Sequence, residues 1–212
     1  MASALVAAGL VLVACGNTNT DAMHIPPAGQ HADGEFWRLM NQQSLDYEYF
    51  ETLQTLWTVS DVAVLGHIVD VDRGRGLGGQ KRGGATAETI IAEFNVDEVI
   101  EGEPADDSKV RIDIELFKPS LVDVGDLADA VPKQPVLVLL QEASQELMGV
   151  KIDESGAERD PDKTLYLPPT TKAIFIKLEG DVVTPLDMTP GPFEKSIGAT
   201  SLEELADEIR SF

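Results

Sequence analysis

Val62-Ala63-Val64-Leu65-Gly66-His67-Ile68-Val69-Asp70-Val71 is the stretch on which the fold turns. Half of it is Val or Ile, and the run is nearly continuous in apolar residues, so it predicts a well-buried strand rather than a surface helix. Downstream, Thr86 to Ile100 reads as the longest strand, closed by the turn Glu101-Gly102-Glu103-Pro104. Lys109-Val110-Arg111-Ile112-Asp113-Ile114-Glu115-Leu116 then alternates strictly, which places Val110, Ile112, Ile114 and Leu116 on one face and the charges toward water. Val136-Leu137-Val138-Leu139-Leu140 has the length and texture of a core strand. Leu165-Tyr166-Leu167 follows, and then Ala173 to Leu178 turns at Glu179-Gly180-Asp181 into Val182-Val183 as a hairpin. Short strands separated by turn residues predict a mainly β chain, a small antiparallel barrel.

Helices are expected only at its two ends. Phe36, Trp37, Leu39 and Met40, then Leu45, Leu53, Leu56 and Trp57, recur at three and four residues, the spacing of one or two short amphipathic helices ending near Ser60. At the other end, Ser201 with Glu204 three residues on is a capping box that opens a short helix through Leu205 and Ile209.

Two insertions invite a binding role. Arg73 to Gly84 holds six glycines and four cations, and Gly74, Gly76 and Gly79 formally match G-x-G-x-x-G. A phosphate-cradling loop of that kind feeds a helix N-terminus, whereas the segment that follows here alternates as a strand, so a long mobile hairpin loop is expected. Pro119 to Pro132 reads as an acidic linker. Its Asp123, Asp126 and Asp129 are weak candidates for a metal, because the glycine and terminal Glu of a calcium loop are not in place, and a solvated loop is the plainer expectation.

The N-terminal region reads as an address. Ala4 to Ala14 is an apolar stretch too short to span a bilayer and of signal-peptide length. Leu12-Val13-Ala14-Cys15-Gly16 resembles the bacterial lipobox, in which the cysteine is diacylated after cleavage. Cys15 is the only cysteine in the chain, so it has no disulfide partner to explain it. Met1-Ala2-Ser3 lacks the usual basic residue, and the natural start is therefore expected further upstream. The expected organisation is a signal peptide over 1–14, a flexible tether over 15–34 containing His24 and His31, and a single β-rich domain over 35–212. The tether is a poor metal site, since ordering two histidines there costs entropy at every residue.

Asp and Glu outnumber Lys and Arg by 37 to 16, a formal charge of −21. Phosphate binding rests largely on cations, so no nucleic-acid partner is expected. An anionic membrane surface also repels such a chain, so contact with the membrane requires the lipid anchor.

Taken in order, "SDVAVLGHIVDVD", "FNVDEVIEGE", "KVRIDIEL", "PVLVLL", "AIFIKLEGDVVTPL" and "SLEEL" resemble a set of exported bacterial lipoproteins common in actinomycetes. Their small barrels are similar to OB-fold and netrin/TIMP-type modules. The resemblance implies an OB-like barrel with an N-terminal helix and a short C-terminal helix, and it brings no functional residues with it.

Chemistry is sparse. There is no G-x-S-x-G, no H-E-x-x-H and no thiol besides Cys15, and His67 reads as a structural or surface histidine. No catalytic residue and no cofactor are expected. The leading expectation is a lipid-anchored, non-enzymatic interaction module on the outer face of the cytoplasmic membrane, meeting an envelope or exported protein. The alternatives are an extracytoplasmic binder of a small ligand or divalent cation, and an enzyme of unrecognised type.

Overall fold

The computed structural model describes residues 32–41, 50–77, 87–116, 123–143, 164–177, 183–185, 192–199 and 201–212. The strands are β1 Val62–Leu77, β2 Ala87–Gly102, β3 Lys109–Leu116, β4 Val136–Glu142, β5 Leu165–Leu167, β6 Ile174–Lys177 and β7 Val183–Pro185. The helices are α1 Ala32–Asn41, α2 Leu53–Trp57, α3 Val124–Asp129, α4 Pro192–Ser196 and α5 Leu202–Arg210.

Five strands close into a barrel in the order β1-β2-β3-β5-β4, with β4 returning to β1. One edge of β4 pairs with β1 along Val136 to Leu140, and its other edge is shared between β6 and β5. β6 and β7 pair antiparallel, as the sequence predicts, and they continue the sheet beyond the ring.

The expected all-antiparallel barrel needs one correction. A ring with an odd number of strands cannot alternate direction all the way round. The mismatch falls between β3 and β5, which run parallel at Arg111↔Leu165 and Ile112↔Tyr166. With α3 between β3 and β4, the result is an OB-like barrel.

The core has two layers. Inside the barrel lie Val62, Val64, Ile68 and Val71 of β1, Ile90, Ala92 and Phe94 of β2, the alternating residues of β3, and Val136, Val138 and Leu140 of β4. Phe36, Leu39 and Met40 of α1 join the same cluster. Outside, Ala63, Leu137, Leu139 and Phe175 meet Leu53 and Leu56 of α2, Phe193 of α4, and Leu202, Leu205 and Ile209 of α5. β4 is therefore buried on both faces, which is why its sequence runs apolar without alternating.

Local chemistry sets the ends of these elements. The Thr52 hydroxyl accepts from the Thr55 N–H at 3.1 Å and caps α2. Ser201 Oγ accepts from the Glu204 N–H at 3.1 Å and starts α5 at the predicted position.

The expected loop after β1 is corrected as well. β1 runs through Leu77 and β2 begins at Ala87, so only residues 78–86 of the connection lie outside the described residues. Gly74 suits this extension: a Cβ there would stand 2.2 Å from Thr89 Oγ1 and 2.9 Å from the Thr89 carbonyl oxygen, closer than the backbone of β2 permits. The stretch from 119 to 132 is not wholly a loop either. Asp123 Oδ1 accepts from the Gly125 N–H at 2.7 Å and caps α3, whose Leu127 is fully buried. α1 begins at Ala32, inside the stretch assigned to the tether, and the leader with Cys15, His24 and His31 lies outside the described residues.

Candidate functional site

Among the described residues, Val64, Phe94, Ile112, Val138 and Leu140 pack the barrel interior with at most 2% exposure each. Any recognition surface belongs on the outside, and the outer face of β2 and β3 is the most distinctive part of it. The two strands pair from Glu88↔Leu116 to Asn95↔Lys109. Because Ile90, Ala92, Phe94, Val110, Ile112 and Ile114 point inward, Thr89, Ile91, Glu93, Arg111, Asp113 and Glu115 occupy the opposite face.

That face is unusually buried for a polar one. Thr89 is 2% exposed and Asp113 only 1%, although neither belongs to the apolar clusters. Glu93 stands opposite Arg111 and forms an ion pair with the Lys109 ammonium. Arg111 is half-buried, and its Nε is a buried donor with no hydrogen-bond partner among the described residues. A guanidinium in that position suits a carboxylate, whose two oxygens match its donor fork.

A second constellation lies where β1 leaves β4. The β1–β2 register shifts between Leu65↔Glu98 and Gly66↔Val96, leaving Asp97 as the extra residue of a bulge. Its Oδ2 reaches His67 Nδ1 at 2.7 Å, with the two side chains 37% and 51% exposed. His67 is thus a surface histidine beside an exposed carboxylate, in keeping with the sequence reading. Gly66 beside it is fixed by close approach, since a Cβ there would stand 2.0 Å from the Asn95 carbonyl oxygen.

The chain matches no family model, no curated protein and no solved structure.

Among the described residues no group of three or more His, Cys, Asp or Glu side chains is placed to hold a metal ion. Asp123, Asp126 and Asp129 are all exposed on or beside α3, with Asp123 engaged as the helix cap. Their spacing of three reflects the solvent side of a helix whose other side buries Leu127.

Titration shifts are local. Ser108 donates to Asp106 Oδ1 from its hydroxyl at 2.6 Å and its N–H at 2.8 Å, and these bonds hold the Asp106 carboxyl below its ordinary range. Burial pushes the Tyr166 phenol upward, while its oxygen accepts from the Ala105 N–H at 2.8 Å. That bond ties β5 to the turn between β2 and β3.

Sequence reasoning passed over Arg111 because it sat in a strand whose alternation already explained it. Nothing in a linear reading signals that its outer face is half-buried.

Proposed function

We propose that this chain is a lipid-anchored extracytoplasmic protein, held through Cys15 on the outer face of the cytoplasmic membrane. There it serves as a non-enzymatic interaction module for another envelope or exported protein. The observation that carries the interaction reading is Arg111, a half-buried guanidinium with an unpartnered Nε on the outer face of β2 and β3. The Nε itself is enclosed, so a partner's carboxylate or carbonyl would meet the part of Arg111 that stays exposed. The filled barrel directs binding to the exterior, and in OB-like barrels the face of the second and third strands commonly takes ligands.

The address rests on sequence. The apolar stretch before a lipobox-like Leu12-Val13-Ala14-Cys15, and the absence of any other cysteine, follow the pattern of the actinomycete-type lipoproteins that the chain resembles. Each buried acyl CH₂ contributes roughly 0.8 kcal/mol, so diacylation holds firmly.

Chemical crosslinking in the native host, followed by capture and identification, tests the interaction. One partner is expected with the natural chain and is lost with Arg111→Ala at unchanged melting temperature; the protein recovered alone in repeated conditions counts against the reading. The anchor has a separate test. Mass spectrometry of the native protein is expected to show a diacylglyceryl group on Cys15, and an intact, unmodified leader on a cytosolic protein overturns it.

A further inference from the structure

β1 is paired on both sides only as far as Gly66, whose partner on β4 is Val136. From His67 to Leu77, β2 is the only described strand that pairs with it. An open edge presents main-chain donors and acceptors on which another strand can build, and eleven residues is long for one.

Three features of this edge oppose such pairing. Val69 is an extra residue, since Ile68 faces Phe94 and Asp70 already faces Glu93, and the resulting bulge breaks the repeat an incoming strand requires. Asp70, Asp72 and Arg73 are charged and exposed along it. The Val71 N–H donates to Asp70 Oδ1 at 2.9 Å, so a carboxylate occupies a donor on the segment itself.

We infer that Asp70 guards the open edge of β1 against pairing with the same edge of a second copy of this chain. Two identical edges meet antiparallel about a two-fold axis, so the residue on the axis fixes the register and residues equally far from it face one another. Centred on Val71, each Asp70 faces the other copy's Asp72. Centred on Asp70 or on Asp72, the carboxylate faces itself. Like charges directly across a ladder destabilise it, and each of these three registers contains such a contact, with Asp70 supplying it in two of them. The engaged Val71 amide adds to this, because an incoming carbonyl must first displace a carboxylate.

Sedimentation equilibrium of the full, unacylated chain tests the inference. Asp70→Val removes the carboxylate from both roles and is expected to strengthen self-association by about tenfold or more over the natural chain. The far-ultraviolet spectrum should stay unchanged, and amides 67–73 should gain protection from hydrogen exchange as concentration rises. A folded Asp70→Val whose mass follows that of the natural chain at every concentration overturns the inference. So does a dimer in which amides 67–73 exchange as in the monomer, because that dimer uses another surface. Asp70→Thr, read in the same way, replaces the test if the Val variant fails to fold.

Discussion

Val62–Gly66 and His67–Leu77 are consecutive parts of one strand in two environments. The first part lies between β2 and β4, with Val62 and Val64 in the barrel and Ala63 against the outer helical layer. The second part keeps β2 but loses β4, and with it the burial of one edge. Charge enters the sequence at that point, while register shifts occur in both parts. Main-chain pairing with β2 is common to both parts, so pairing alone does not dictate residue type. What dictates it is how many sides of the strand are closed to water.

Mutations on the closed side carry the largest expected effect. Leu139 pairs with Ala63 and is fully buried in the outer layer, so Leu139→Ala should cost about 2–5 kcal/mol in a denaturant titration. A loss under about 1 kcal/mol would mean that α2 and α5 do not seal that face.

Gly66→Ala probes the junction between the two parts. Its Cβ would fall 2.0 Å from the Asn95 carbonyl oxygen and 2.8 Å from the Phe94 ring, so β1 and β2 must separate. The expected cost is about 1–3 kcal/mol, read as a lowered unfolding midpoint.

Tyr166→Phe should cost about 1 kcal/mol through loss of the bond from the Ala105 N–H. It carries a pH signature as well. The phenol's pKa is raised on folding from an ordinary value of 10.0, so the folded state holds that proton more tightly than the unfolded one. Its contribution is complete below pH 10.0 and falls as pH rises toward the higher folded value. The Phe variant should flatten that alkaline decline, which a melting series across the range will show.

The smallest effect belongs to the open part. Asp72 is exposed beyond the reach of β4, and Asp72→Ala should change stability by no more than about 0.5 kcal/mol. A larger loss would mean that the second part of β1 is covered after all.

The same contrast decides what was legible in the sequence. Val136–Leu140 announced itself because both faces are buried, Lys109–Leu116 because one face is, and Ser201 because capping chemistry is local. The extension of β1 through Gly74 was hidden. Glycine there signals a loop until the close approach of Thr89 is known, and that approach depends on a register set after three shifts along β1. The Asp-rich stretch hid α3 for a related reason, since the same aspartates that suit a loop also suit the outer side of a helix. The site was the least legible part. Arg111, Glu93 and Lys109 meet across strands, as His67 and Asp97 do, and such contacts follow from pairing register rather than from spacing along the chain.

The central claim is that this barrel recognises its partner with the outer face of β2 and β3 and keeps the open edge of β1 out of contact. Site-specific photocrosslinking in the native host addresses it directly, with the reactive group placed in turn at Glu115, on the β3 side of the face, and at Asp72, on the edge. The account predicts one discrete adduct from position 115 and none from position 72. An adduct from position 72 alone would contradict it.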